Sequence, residues 1–198
     1  MPVMEAANRA TPPGAPRRPG RFRLTRELYH QLAERGAFEG VRVELLEGEI
    51  IVMAPMDEAH AYPLQELNRR LTRALPDEYR VRPQLPLATD EENEPEPDLA
   101  VVATEDVGGD EAPARALLVI EVAHSSVKDD LQRKLRIYAR AGVPEYWVID
   151  VKKKELVIHR SPSGSRYRSV RRVTELSSLS PAALPGLALD LRGIFLKR

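Results

Sequence analysis

Two apolar segments, Leu99-Ala100-Val101-Val102-Ala103 and Ala116 to Ala123, constrain this chain more than any other feature. Apolar runs of that length, far too short to span a bilayer, read as strands buried on both faces. Such strands need cover above and below, which calls for a mixed sheet flanked by helices, an α/β domain. Each run also carries an acid. Asp98, preceded by Pro97, heads the first, and Glu121 interrupts the second. A carboxylate in a central strand costs roughly several kcal/mol unless a cation, hydrogen-bond donors or water compensate it.

The remaining segments arrange themselves around those strands. Residues 1–20, rich in Pro, Arg, Ala and Gly without periodicity, read as a flexible arm, and 21–198 as a single domain. Thr25 is placed to cap an N-terminal helix running through Arg35, with Leu28 and Leu32 inward and Gly36 near its end. Val41 to Leu45 alternates like a strand, Glu47-Gly48 is a tight turn, and Glu49 to Ala54 returns as the hairpin partner. Leu64, Leu67, Leu71 and Leu75 recur at helical spacing until Pro76. Tyr79 to Leu87, with its prolines, reads as an edge strand. Asp129 to Ala141 reads as a helix closed by Gly142, and Glu145 to Asp150 as a further core strand. Glu155–Arg160 and Tyr167–Val173 pair across a Ser-Pro-Ser-Gly turn, and Leu187, Leu189 and Leu191 have strand spacing.

Composition narrows the chemistry. The chain has no cysteine, which removes disulfides, thiolate catalysis and Cys-ligated zinc. No apolar stretch is long enough to cross a membrane and no signal-peptide core is visible, so the expected location is the cytoplasm. Net charge is zero, from 30 basic and 30 acidic residues, unlike a polybasic nucleic-acid binder. The charge is nonetheless segregated. Six arginines fall within the first 26 residues, Lys152 to Arg172 is basic, and Asp90 to Asp98 is acidic. His30, His60, His124 and His159 are dispersed, with no His-Glu-x-x-His pattern. Trp147 and Tyr146 read as core.

Two carboxylates at the rim of core strands suit a hard divalent cation, with the carbonyl of Val122 as a further oxygen. A buried salt bridge to an arginine is the competing reading. The helix after Glu121 offers a cation. At about 100° per residue, Leu131, Leu135, Ile137, Tyr138 and Ala141 form an apolar arc. Arg133, Arg136 and Arg140 lie on the opposite, solvated face, whereas Lys134 falls inside the arc. The phase favours an inward ammonium beside Glu121 over an exposed i,i+4 pair with Asp130. Glu44, on the first hairpin, reads equally as a surface carboxylate or a member of the site.

These residues resemble the Uma-type restriction endonucleases. The resemblance rests on Arg42-Val43-Glu44-Leu45-Leu46-Glu47-Gly48-Glu49-Ile50, on Glu94-Pro95-Glu96-Pro97-Asp98, on Glu121-Val122-Ala123 with Ser125-Ser126, and on Tyr138 to Asp150. It implies a restriction-endonuclease-like fold of the Pro-Asp…(Asp/Glu)-x-Lys superfamily, acting as a metal-dependent endonuclease on nucleic acid, DNA foremost. Such a motif would carry lysine at position 123, where this chain has alanine. The resemblance implies that Lys134, on the neighbouring helix, has taken over that role. Glu44, Asp98, Glu121 and Lys134 are then the catalytic group. Asp98, Glu121 and Val122 are the ligands of magnesium or manganese. The resemblance also matches His60 to a histidine common after the first hairpin, and His124 departs from the serine frequent in relatives. A catalytically inactive nucleic-acid-binding or assembly module on the same scaffold is the alternative. Apolar tail and edge strands are compatible with a homodimer.

Overall fold

The computed structural model describes residues 21–123 and 128–195, with side chains of 128–130 outside the description. The Arg/Pro-rich arm, His124, Ser125-Ser126 and the Asp130 side chain therefore lie outside the described residues.

Strands β3 (Tyr79–Pro83), β4 (Leu99–Ala103), β5 (Leu118–Ala123), β6 (Glu145–Asp150), β7 (Glu155–Ser163) and β8 (Arg166–Val173) form one sheet in that spatial order. All neighbours are antiparallel except β5 and β6, which run parallel because helix α3 (Lys128–Arg140) carries the chain across between them. The two apolar runs are central strands, and Leu99 to Val102 are fully buried.

Side chains alternate between two cores. Leu99, Val101, Leu118, Ile120, Trp147 and Ile149 meet helix α2 (Glu58–Ala74) and the C-terminal leucines. Ala100, Val102, Val119, Tyr146 and Val148 meet α3 through Tyr138 and Ala139. Glu121 shares parity with Val119 and Ala123, so its carboxylate projects to the α3 side.

Helix α1 (Arg26–Glu34) starts at Thr25, whose hydroxyl accepts the Leu28 N–H, and its Leu28 and Leu32 are only half-buried. It props the hairpin of β1 (Val43–Leu46) and β2 (Glu49–Val52), with the Tyr29 hydroxyl donating to the Val43 carbonyl at 3.1 Å. Helix α2 begins at Glu58 and includes Pro63, so that proline does not end it. Asp57 caps it and accepts the His60 N–H at 3.0 Å.

Strand β3 lies at the sheet edge but ends at Pro83, short of Leu87, because Gln84 takes a left-handed backbone with φ of 49°. The β7–β8 turn falls later than the Ser-Pro-Ser-Gly pattern suggests. Ser163 pairs with Arg166, leaving Gly164 and Ser165 as the tip. The tail adds a two-stranded ribbon of β9 (Ser178–Leu179) and β10 (Leu189–Asp190). No helix among the described residues is long and apolar enough to cross a membrane.

Candidate active site

The sheet register sets two acids against each other. Leu99 pairs with Ile120, and one step outward the antiparallel geometry puts Asp98 opposite Glu121. Regular pairing ends there. The Val122 N–H donates instead to Asp98 Oδ2 at 2.7 Å, so the aspartate side chain satisfies the donor that β4 no longer reaches. The other oxygen, Oδ1, is 3.0 Å from His60 Nε2 on the first turn of α2. Sequence reasoning gives His60 no place in the site, because a lone histidine in a first helical turn is more often a cap or packing residue.

Lys134 sits within the apolar arc of α3 and is 6% exposed. Its Nζ lies 3.1 Å from Glu121 Oε1, 3.0 Å from Glu44 Oε2 and 3.4 Å from the Glu96 carbonyl. One turn later on the same helix, Tyr138 donates its hydroxyl to the same Glu121 oxygen at 2.9 Å. Helical phase alone places Tyr138 in the core. Its i,i+4 spacing from Lys134 is the signal that links it to Glu121. Glu44 is 4% exposed, on the hairpin side facing α3, and its Oε2 also accepts the Glu96 N–H at 3.0 Å. Among the described residues, no hydrogen bond reaches Glu121 Oε2 or Glu44 Oε1.

The arginine face of α3 is partly in solvent, as expected, but it also reaches the first hairpin. Arg133 is 3.0 Å from Glu49, and Arg136 and Arg140 flank Glu47 at 3.7 and 3.4 Å. The solvated stripe thus doubles as a clamp between α3 and the hairpin that carries Glu44.

The electrostatics are unbalanced. Of three buried acids, Glu44 and Glu121 share the Lys134 ammonium, and Asp98 faces the half-buried His60. Burial works to lower the Lys134 pKa, but the charges of Glu121 and Glu44 outweigh it and hold the ammonium above its ordinary value. Glu121 rises as well, to about 7. Burial dominates, and the Asp98 and Glu44 charges add to it against the pull of Lys134. Burial likewise opposes protonation of His60, yet its hydrogen bond to Asp98 and the surrounding acids carry its pKa upward. Glu145 shows what a purely structural buried carboxylate looks like. It accepts Trp147 Nε1 at 2.6 Å and Arg160 at 2.9 Å, with the Ala182 N–H on its second oxygen.

The acids open onto a cleft of about 250 Å3 bounded by the hairpin, the segment that follows it, and α3. Its donors are carboxylate and carbonyl oxygens, the set a hard cation takes, while the His60 imidazole is engaged with Asp98. Among the described residues, no three His, Asp or Glu side chains converge to cage an ion unaided.

Comparison with known proteins gives these features a context. No curated protein matches the chain. A crystal structure at 1.96 Å, described as that of a putative nuclease belonging to DUF820 from Anabaena variabilis, has a similar fold, with a TM-score of 0.65 and 18% identity. The match covers 77% of this chain and 89% of that one. Residues 26–192, most of the chain and all the site elements, match the Uma2 family, described as "Putative restriction endonuclease", and the protein belongs to that family.

Proposed function

We propose that the cleft is the active site of a metal-dependent endonuclease that hydrolyses phosphodiester bonds of nucleic acid, DNA foremost. The observation that carries this reading is the surplus of buried acid. Glu44 and Glu121 share one lysine, Asp98 lies beside them against His60, and Glu121 is driven up to about 7 even with that lysine next to it. A purely structural cluster would be balanced, as Glu145 is.

The donor chemistry fits magnesium or manganese, which takes one or two carboxylates and fills its remaining positions with water and substrate oxygen. Asp98 and Glu121, with the Val122 carbonyl, would hold the ion, which when bound supplies charge to polarise the phosphodiester and acidify a water. Asp98 is fixed for that task by the Val122 N–H and His60. Lys134 acts as a cation and proton donor. Its raised pKa keeps it protonated at neutral pH, so it orients the attacking water and offsets charge on the phosphate, and it does not serve as a base. Glu44 anchors the lysine from the hairpin side. Farther along the same sheet face, Lys152 and Arg172 border a second cleft that shares Leu131 with the first, and they supply backbone contacts to the substrate strand.

Cleavage of plasmid or oligonucleotide with magnesium or manganese tests the reading. Wild type is expected to cut, and Asp98→Ala and Lys134→Ala are each expected to reduce cutting at least a hundredfold. Activity that survives both substitutions would sink the assignment.

A further inference from the structure

The mouth of the cleft is not built for a phosphate backbone. The end of β2 and the chain leaving it read Ile51-Val52-Met53-Ala54-Pro55-Met56, six consecutive apolar residues, all lining the cleft. Val52 is 65% exposed and Met56 39%, with Ala54 and Pro55 also exposed. An exposed apolar run of that length costs solubility and is kept where something covers it.

The cations of the same cleft are already engaged. Arg42 is 2.7 Å from Glu96, His60 is 3.0 Å from Asp98, and Lys134 lies between Glu44 and Glu121. A duplex presents phosphates and groove edges to a protein, with its base faces stacked inside, and among the described residues this wall offers no unpaired cation to meet it. Unpaired bases present apolar faces, against which aliphatic side chains such as Met, Pro and Ile pack.

We infer that the segment Val52 to Met56 is a base-binding wall, so that the site takes an unpaired strand, single or locally opened, in preference to continuous duplex. The inference rests on the nuclease reading for the strand's passage through the cleft. The scissile phosphate enters beside Asp98 and Glu121 while the bases next to it lie against Val52, Ala54, Pro55 and Met56.

The test is fluorescence anisotropy with labelled 12-mers that are single-stranded, duplex or abasic. Binding is measured without metal, so that nothing is cut, for wild type and for the double variant Val52→Ser/Met56→Ser. Both side chains are exposed, and a melting curve checks that the variant remains folded. Wild type is expected to bind the single strand about tenfold tighter than the duplex or the abasic strand. The variant should lose about tenfold toward the single strand and become indifferent to the bases. Equal or tighter duplex binding by wild type overturns the inference, as does a variant that binds like wild type or wild type that binds no strand. So does a variant that converts a dimer to a monomer with unchanged strand binding, since the patch would then join two copies of this chain. Base-dependent binding without cleavage in magnesium or manganese would refute the nuclease reading and leave the wall standing. Cleavage unaffected by the double substitution and indifferent to strand form would do the reverse.

Discussion

Glu121 Oε1 receives two donors of different kinds, and they divide the work. Lys134 neutralises and is shared with Glu44, whereas Tyr138 brings no charge and, among the described residues, gives its hydrogen bond to Glu121 alone. The tyrosine therefore orients the carboxylate, and among the described residues no hydrogen bond reaches Oε2. Tyr138→Phe removes one oxygen and keeps the ring against Tyr146, 5.2 Å away. A hydrogen bond to a charged acceptor is worth roughly 1.5–3 kcal/mol, so manganese binding by calorimetry should weaken at least about tenfold. Tyr167→Phe is the control, because that hydroxyl donates to the Val143 carbonyl and should leave metal affinity unchanged. Lys134→Met tests the charge term through pH. In the native protein Glu121 titrates near 7 against an ordinary 4.5, so the folded state holds its proton more tightly than the unfolded state. That raised value makes folding stability fall as pH rises between those two values, with the loss complete above 7. Removing Lys134 takes away the opposing charge and extends the loss to higher pH. The melting-temperature gap between wild type and Lys134→Met should therefore widen from pH 5 to pH 8. A constant gap would show that Lys134 contributes packing alone.

At the level of elements, the site depends on how the first hairpin is held. Its turn, Glu47-Gly48, has φ of 52° and 72°, the left-handed pair that a two-residue hairpin requires. Gly48 is needed for space as well as conformation, since an added Cβ would lie 2.6 Å from the Arg23 Cβ. Glu47 accepts a cost in backbone preference but presents its carboxylate to Arg136 and Arg140. Gly48→Ala should destabilise by about 1–3 kcal/mol, read as a lower denaturant midpoint. Cleavage should fall with it, because the same hairpin carries Glu44 to Lys134. The ion-paired clamp is half-exposed and therefore screenable. Glu47→Gln should lower stability by less than about 1 kcal/mol, with the difference from wild type shrinking in high salt. A salt-independent loss would assign Glu47 a packing role.

At the scale of the whole molecule, the sheet has one face that carries the buried acids and one that packs on α2 and the tail, and the sequence discloses them unequally. Strands β4 and β5 are legible because apolar runs of five to eight residues, one broken by a single acid, fit little besides a buried strand, and the inward set of Lys134 follows from helical phase. His60 is not legible as a site residue, because its link to Asp98 spans 38 positions and no local pattern encodes it. The arginine clamp is hidden for the same reason. Helical phase tells which residues share a face, not that another element will cover that face. The face packed on α2 and the tail shows the same rule. Leu184, Leu187, Leu189, Leu191 and Ile194 are all at most 4% exposed, yet they form almost no regular structure, since their contacts are with α2 and the sheet. Arg70 fastens this tail to α2 by donating to the carbonyls of Asp190 and Arg192 at 2.7 and 2.8 Å, with Glu66 bracing the guanidinium. The tail thus presses down the helix whose first turn delivers His60. Leu189→Ala should cost about 2–5 kcal/mol through the cavity it leaves, and should lower the melting temperature while metal affinity of the folded protein stays unchanged. If affinity fell before the protein unfolded, the two faces would be coupled through α2 rather than independent.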